Sequence, residues 1–199
     1  HMREWEIAEA ENGEFSIESA RMMHSVVGSL ARQGRDNEAI ELTQRQLRVI
    51  DMLGTEEAEL LRPRAIGNLG ALLVRTGRNA EAAPILIDTL ELKRELYGDR
   101  HPTTLSTLNN LCSVLTSIGE TEQSVLYGRE AYEGRKQVLG DGDPRTFVSL
   151  LNLARAIADA EMYGEALMML QEGVSQAVER LGVDHPTTMD ITNTYARTL

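Results

Sequence analysis

One short motif occurs three times at a constant spacing, and this repetition limits what the chain can fold into. Residues 98–102 are Gly-Asp-Arg-His-Pro, residues 140–144 are Gly-Asp-Gly-Asp-Pro, and residues 182–186 are Gly-Val-Asp-His-Pro. Both steps are 42 residues long, since 140 − 98 equals 182 − 140. A fixed period of this length is typical of stacked repeats, in which each unit packs only on its neighbours. Such chains usually offer a long surface to a partner and seldom hold catalytic groups in a pocket.

The composition excludes several classes of partner. The chain has 199 residues, of which 42% are hydrophobic, and it has no apolar run long enough to predict a membrane span or a signal peptide. Its net charge of −11 and its 4% of aromatic residues argue against binding to nucleic acid. The single Cys112 cannot form an internal disulfide and fits a reducing compartment. We therefore expect a cytoplasmic protein with no nucleic-acid or membrane partner.

Each repeat contains two stretches with helical spacing of apolar residues, separated by a short polar break. The stretches run over about 16–33 and 37–53, 58–76 and 80–97, 105–118 and 122–139, and 147–160 and 163–181. Gly77 and Gly119 stand at two of the breaks and suit left-handed helix ends, whereas Glu161 replaces the glycine in the fourth repeat. Residues 187–199 have the face of a first helix with no second helix after it. The pattern predicts antiparallel helix pairs.

These boundaries divide the chain as follows. Residues 1–2 are interpreted as a cloning remnant, and residues 3–15 as a short N-terminal helix or cap. Residues 16–199 form one array, with units of about 16–54, 55–98, 99–140 and 141–182 and a terminal helix at 186–199. The terminal helix is either a cap or part of a longer array.

The prolines of the repeated motif suit the first turn of a helix, where a missing N–H costs nothing. The preceding residue is then the N-cap, which predicts capping by His101, Asp143 and His185. Because aspartate stands where the two histidines do, we expect all three to be structural. A metal site at the histidines is not favoured, since they are 84 residues apart without a nearby Cys or His cluster.

Small residues recur at the same period, apart from a one-residue slip between Ala39 and Ala82, and predict close helix packing. One column consists of Gly70, Cys112, Ala154 and Ala196, and a second one of Ala39, Ala82, Ser124 and Ala166. Cys112 belongs to the first column, so we expect a buried packing residue and not a reactive thiol.

The chain resembles tetratricopeptide repeats of the longer, kinesin-light-chain-like kind. The resemblance rests on residues 96–105, Leu-Tyr-Gly-Asp-Arg-His-Pro-Thr-Thr-Leu, and on Leu-Asn-Asn-Leu at 108–111, with weaker copies at 139–153 and 181–196. It covers roughly residues 16–199. It implies an all-α, right-handed superhelical solenoid of antiparallel helix pairs, in which the first helices line a concave groove that grips peptides. In that family an asparagine on the groove bonds the peptide main chain, and basic residues beside it take acidic side chains.

Carried over to this chain, the asparagine falls on Asn68, Asn110 and Asn152, which are 42 residues apart. Residues at helical spacing from them share their face. That face holds six arginines and two acids, although acids outnumber bases 31 to 20 in the whole chain. The predicted peptide-binding residues are Arg21, Arg32, Arg64, Asn68, Arg75, Asn110, Ser113, Asn152 and Arg155. The alternative is an ordinary solvated helix face, which also carries Arg and Ser.

The sequence thus predicts a non-catalytic scaffold that binds a protein or peptide segment in a concave groove, and the arginines of the predicted face favour an acidic segment. We expect no cofactor and no metal, because no phosphate loop, metal motif or nucleophile signature is present. The alternative function is a self-associating structural or regulatory module of a larger protein, with Ile191 and Tyr195 on the unpaired face of the last helix. The first reading predicts a monomer, and the second a weak homodimer.

Overall fold

The computed structural model describes residues 15–199, and this part of the chain is helical with no β-strand. The interpretations of residues 1–2 and of almost all of the segment 3–15 lie outside the described residues. The described helices, in chain order, are α1 (Ile17–Arg32), α2 (Asp36–Leu53), α3 (Glu56–Glu59), α4 (Arg62–Arg75), α5 (Asn79–Tyr97), α6 (Pro102–Ile118), α7 (Thr121–Leu139), α8 (Pro144–Asp159), α9 (Tyr163–Leu181) and α10 (Pro186–Thr198).

The helices fall into two compact units. Unit 1 ends at Leu92 and unit 2 runs Lys93–Leu199, so that the division lies within α5. In unit 1, α1 pairs with α2, and α2 packs on α4. In unit 2, each helix from α6 to α10 packs on the next, and the first helices α6, α8 and α10 also contact their neighbours in that series. The result in unit 2 is a layer of first helices beside a layer of second helices.

Helix starts in unit 2 follow the repeated motif. α6, α8 and α10 each begin at the proline, and the side chain before it accepts a hydrogen bond from the main-chain N–H two residues on. The acceptor atoms are His101 Nδ1 at 3.3 Å, Asp143 Oδ1 at 2.8 Å and His185 Nδ1 at 3.2 Å. The predicted N-caps are therefore confirmed. The ring of His101 also stacks on that of Tyr97, with centroids 4.9 Å apart.

Helix ends also follow the sequence. Gly77 and Gly119 adopt φ values of 74° and 82°, in the left-handed region that glycine enters at little cost. Glu161, which replaces the glycine in the fourth repeat, takes the same conformation with φ of 60°. The turn geometry is thus kept there by a residue for which it is uncommon.

The first helix of the second repeat differs from its prediction. Instead of one helix from 58 to 76, the chain forms the short α3, a turn at Leu60 and Leu61, and then α4. Pro63 explains the break, because it has no N–H to donate to the carbonyl four residues earlier and its ring crowds that turn. The expectation of a continuous helix is wrong.

The columns of small residues lie mostly in the core. Ala39, Ala82, Ser124 and Ala166 are fully buried, as are Cys112 and Ala154. A Cβ built on Gly70 would lie 2.9 Å from a methyl carbon of Leu86, so an alanine at this position would require the Leu86 side chain to shift. Ala196 breaks the pattern and is exposed, because no described helix packs on that side of α10.

No helix among residues 15–199 combines the length and the apolar character that a bilayer crossing requires.

Candidate protein-binding face

The predicted site residues of unit 2 lie on its first helices. Asn110 and Ser113 belong to α6, and both are half-buried. Asn152 and Arg155 belong to α8, where Asn152 is half-buried and Arg155 is exposed. Because α8 contacts both α6 and α10, these side chains share a surface with the polar face of α10. We call the surface formed by α6, α8 and α10 the unit 2 face.

Two adjoining cavities open on the unit 2 face between α8 and α10. One has a volume of about 550 Å³ and the other of about 480 Å³. Both are lined by Arg155, Thr194 and Arg197. The first also includes Asp159, Glu161 and Tyr163, and the second Asn152, Asp190 and Asn193. The cavities therefore offer two guanidinium groups, two amides and three carboxylates within one continuous surface.

The two arginines of the unit 2 face occupy equivalent positions, since Arg155 and Arg197 are 42 residues apart. Both side chains are exposed, and neither forms an ion pair with any residue in 15–199. A guanidinium can offer two parallel N–H donors to a carboxylate. This pair can therefore accept an acidic side chain without displacing an existing partner.

Asn152 is connected to the interior by a hydrogen bond that sequence reasoning missed. Its Nδ2 donates to Asn109 Oδ1 at 3.2 Å, and the Ser149 hydroxyl donates to the same oxygen at 3.0 Å. Asn109 is only 8% exposed. The sequence contains an Asn-Asn pair at 109–110, and the family pattern predicts a binding role for the second asparagine. Helical spacing alone does not show that the side chain of Asn109 reaches residues of α8.

A buried cation ends this chain of hydrogen bonds. Arg135 of α7 is 7% exposed and donates to Ser149 Oγ at 2.9 Å and to the main-chain oxygen of Arg145 at 2.8 Å. Its other Nη atom lies 3.4 Å from Ser106 Oγ. No carboxylate among the described residues pairs with it. Burial, and secondarily the charge of Arg145, lowers the pKa of Arg135.

The preceding repeat contains a similar pair. Lys93 and Thr107 stand 42 residues before Arg135 and Ser149. Lys93 Nζ donates to Thr107 Oγ1 at 2.9 Å, and burial lowers the pKa of this lysine. In the following repeat both positions are apolar, being Ala177 and Ile191, and both are fully buried.

In unit 1 the predicted residues lie on α1 and α4. Arg21 pairs with Glu57 of α3 at 2.7 Å. Arg75 pairs with Asp36 of α2 through both carboxylate oxygens, one of them 2.8 Å from Nε. Two of the four predicted arginines of unit 1 therefore already have carboxylate partners. Arg32 and Arg64 are exposed and form no ion pair within residues 15–199.

Asn68 also bonds within unit 1. Its Nδ2 lies 3.4 Å from Nδ1 of His24 on α1, so the two first helices are joined at this point. Burial, followed by the charge of Arg64, lowers the pKa of His24 and favours the neutral ring that can accept this bond. The cavity beside Asn68 is small, about 120 Å³, and mostly apolar, with Arg75 at its edge.

Cys112 lies under the unit 2 face as a packing residue, as predicted. It is fully buried, and a Cβ built on Gly128 would lie 2.8 Å from its Sγ. Burial raises the pKa of Cys112 to about 11, which leaves almost no thiolate at neutral pH. Among residues 15–199 no three His, Cys, Asp or Glu side chains are close enough together to hold a metal ion.

One prediction about α10 is wrong. Ile191 is fully buried in a core cluster with Phe147 and Leu150, and Tyr195 packs against the same cluster. They lie on the side of α10 that packs on the core, and not on its unpaired face as predicted. Met189, which is 53% exposed, and Ala196 are apolar residues of α10 that stay exposed.

Comparison with known proteins agrees with the helix pairs. Residues 58–137 match the model of the tetratricopeptide repeat family. No curated protein matches the sequence. Tetratricopeptide repeats generally serve as non-catalytic scaffolds for protein–protein interaction.

Solved structures share the fold at low sequence identity. A Podosopora anserina protein described as a kinesin light chain with nearly identical TPR-like repeats is 20% identical, with a TM-score of 0.72, covering 89% of this chain and 84% of its own. BtubC (BKLC) from P. vanneervenii is 18% identical, with a TM-score of 0.68 and coverages of 96% and 77%. The apo form of RapI is 16% identical, with a TM-score of 0.69 and coverages of 98% and 75%. The resemblance predicted from the sequence is confirmed: residues 58–137 match the tetratricopeptide repeat family, and the described residues have the all-α repeat fold of the solved kinesin-light-chain-like repeats.

Proposed function

We propose that this protein is a non-catalytic scaffold that binds a peptide segment on the unit 2 face, with an acidic side chain held between Arg155 and Arg197. The observation that carries the proposal is that these two exposed guanidinium groups line both cavities and have no ion pair within the described residues. Their spacing by one repeat places one arginine on each of two neighbouring helices.

The amides of the unit 2 face suit the main chain of such a segment. Asn152 and Asn193 line the cavity of about 480 Å³, and an asparagine side chain offers both a donor and an acceptor. Asn110 and Ser113 extend the polar surface along α6. A segment lying across α6, α8 and α10 would therefore meet a polar group on each helix.

Carboxylates on the same surface bear on selectivity. Asp159, Glu161 and Asp190 line the cavities together with the arginines, and the whole chain has a net charge of −11. A strongly acidic partner would be repelled at long range. We therefore favour a segment in which one or two acidic residues are set at fixed positions among neutral ones.

Titration of peptides tests the proposal. Peptides selected from a library of acidic 14-residue sequences would be measured by fluorescence anisotropy against the wild type and against Arg155→Glu, Arg64→Glu and Arg75→Glu. Arg155→Glu is expected to weaken binding by about tenfold or more, since a charge-assisted hydrogen bond contributes about 1.5–3 kcal/mol. Arg180→Glu, which makes the same charge change at an exposed position of α9, is the matched control. Binding that survives Arg155→Glu unchanged would refute the acidic site.

Self-association is the second candidate, because one side of α10 lies open. Met189 and Ala196 stand 42 residues after Phe147 and Ala154, which are fully buried, yet both are exposed. A second copy of the chain could cover them. Light scattering over a concentration range decides: a mass that rises with concentration and falls back in Met189→Glu supports self-association, whereas a constant monomer mass excludes it.

A cytoplasmic location is part of the same proposal. The buried Cys112 thiol, with its raised pKa, is compatible with a reducing compartment.

A further inference from the structure

A chain of hydrogen bonds leads from the buried interior of unit 2 to its face. Arg135 donates to Ser149, Ser149 donates to Asn109 Oδ1, and Asn152 Nδ2 donates to the same Oδ1. The first three residues are at least nine-tenths buried, whereas Asn152 lines the cavity of about 480 Å³. This series of hydrogen bonds therefore starts at a fixed internal charge, Arg135, and ends at Asn152, which a ligand can reach.

The direction of this chain is set by its first member. Arginine has N–H donors and no acceptor, so the oxygen of Ser149 must accept from Arg135. The proton of Ser149 is then free to donate, and the group that receives it at Asn109 must be the amide oxygen. Because Asn109 Oδ1 is an acceptor, Asn152 can bond to it only through Nδ2. The bonds therefore allow the side-chain amides of Asn109 and Asn152 only one orientation each.

The amide of Asn152 thus turns its Nδ2 inward and keeps Oδ1 for the surface. No described residue donates a hydrogen bond to Asn152 Oδ1, and this atom is not one of the buried polar atoms that lack a partner. We propose that Arg135 is a positioning residue, which fixes the amide of Asn152 so that Oδ1 accepts a hydrogen bond from a main-chain N–H of the bound peptide. This inference rests on the proposed function for its ligand, while the positioning itself concerns the free protein.

Neighbouring repeats show that the arrangement is particular to Asn152. In the preceding repeat Lys93 donates to Thr107, but the position 42 residues before Asn109 is Gly67, which has no side chain to continue the chain. Thr107 donates instead to the main-chain oxygen of Thr103 at 3.1 Å. Asn110, the counterpart of Asn152, consequently has no such bond.

In the following repeat the buried cation is absent. Ala177 and Ile191 replace Arg135 and Ser149, Leu151 stands in the place of Asn109, and Thr194 stands in the place of Asn152. Burying an isolated charge costs desolvation free energy. Ala177 and Ile191 fill the equivalent contact between helices without that cost. The fold therefore does not require the buried polar contact between Arg135 and Ser149 in the middle of unit 2.

NMR of the free protein tests the positioning. Side-chain amide signals of Asn152 would be followed in the full chain labelled with ¹⁵N-asparagine and assigned by their loss in Asn152→Asp. We expect one Nδ2 proton of Asn152 to exchange slowly with water in the wild type. Its exchange should become faster by about tenfold in Arg135→Met, which corresponds to the loss of one neutral hydrogen bond.

Three further variants separate positioning from a general loss of structure. Ser149→Ala interrupts the chain at a smaller side chain and should have the same effect, so the test stands even if Arg135→Met does not fold. Arg135→Lys retains a donor-only group and should keep the exchange within about twofold of the wild type. Ser106→Ala removes the long contact of 3.4 Å with Arg135 and a bond to the main-chain oxygen of Pro102 within α6, and it should leave the exchange of the Asn152 amide unchanged. Slow exchange that persists in both Arg135→Met and Ser149→Ala overturns the inference.

A peptide selected from the acidic library supplies the second readout. Copies methylated at one main-chain nitrogen at a time would be titrated against the wild type and Arg135→Met. We expect one position at which methylation weakens wild-type binding by about tenfold but has little effect in Arg135→Met. If every position behaves alike in the two proteins, the role of Asn152 Oδ1 is wrong. If no peptide binds the wild type, the proposed function fails, and the exchange measurement still decides the positioning.

Discussion

The faces of the two units use the same residue types but differ in how their arginines are paired. In unit 1, Arg21 and Arg75 are held by Glu57 and Asp36, which lie on other helices. In unit 2, Arg155 and Arg197 have no carboxylate partner within the described residues. An arginine that already bonds a carboxylate gains less from a ligand than one that does not, because a bond must be exchanged and not simply formed.

The size of the cavities differs in the same direction. Unit 1 offers about 120 Å³ beside Asn68, whereas the two cavities of unit 2 measure about 550 and 480 Å³. The difference shows that equivalent positions in two repeats can have different ion-pair partners and different space beside them, according to what the neighbouring helix places opposite.

The largest expected effect concerns the integrity of unit 2, on which the comparison depends. Because burial raises the pKa of Cys112 to about 11, alkylation by iodoacetamide at pH 8 should be slower by about a hundredfold in the native protein than in urea. Variants of the unit 2 face should retain this protection. Rapid alkylation of the native protein, measured by mass spectrometry, would show that Cys112 is not buried between α6 and α7.

Charge reversal should separate the two faces. Arg197→Glu is expected to weaken binding of the selected acidic peptide by about tenfold, since it removes one unpaired guanidinium and adds a repulsive charge. Arg21→Glu should weaken it by no more than about twofold, because that arginine is an exposed, already paired residue. Equal losses in a fluorescence titration would contradict the assignment of the site to unit 2.

Releasing a paired arginine should make unit 1 more like unit 2. Asp36→Asn frees Arg75 from its carboxylate, and we expect unit 1 to bind the acidic peptide at a second, weaker site of its own, about threefold more tightly than unit 1 of the wild type does. Asp51→Asn makes the same charge change at the partner of Arg62, which is not on the predicted face. A gain in both variants would point to net charge alone.

The smallest expected effect is a pH dependence of stability from His24. Its pKa is lowered in the folded protein by burial and then by Arg64, so the unfolded chain binds more protons as the pH falls below 6.5. Stability should therefore decrease as the pH falls from 7.5 towards the lowered pKa. In His24→Gln the decrease in Tm over this window should be smaller. An unchanged decrease, followed by circular dichroism, would show that His24 does not contribute.

Local signals explain what could be predicted about the fold. The Pro-containing motif specified the starts of α6, α8 and α10 and their caps, because a cap needs only a side chain two residues from the N–H that it accepts. The break before α4 was equally local, and Pro63 gave the signal, but the apolar spacing over residues 58–76 masked it. Ile191 and Tyr195 were assigned to the wrong side of α10, because their burial depends on which neighbouring helices cover that face.

The candidate site was predicted only in part. Helical spacing placed Asn110, Asn152 and Arg155 on first helices, where the structure has them. It gave no sign of Asn109 and Arg135, since their bonds join residues of different helices. Nor could it show that Glu57 and Asp36 occupy two of the arginines.

The 42-residue period, the helix starts and the glycine turns were determined by the sequence alone, because each depends on side chains within one or two turns of the chain. The pairing of the arginines, the size of the cavities and the orientation of Asn152 were decided only by tertiary structure. Hydrogen bonds and ion pairs require atoms within about 3 Å, and only the packing of one helix on another brings residues from separate repeats that close.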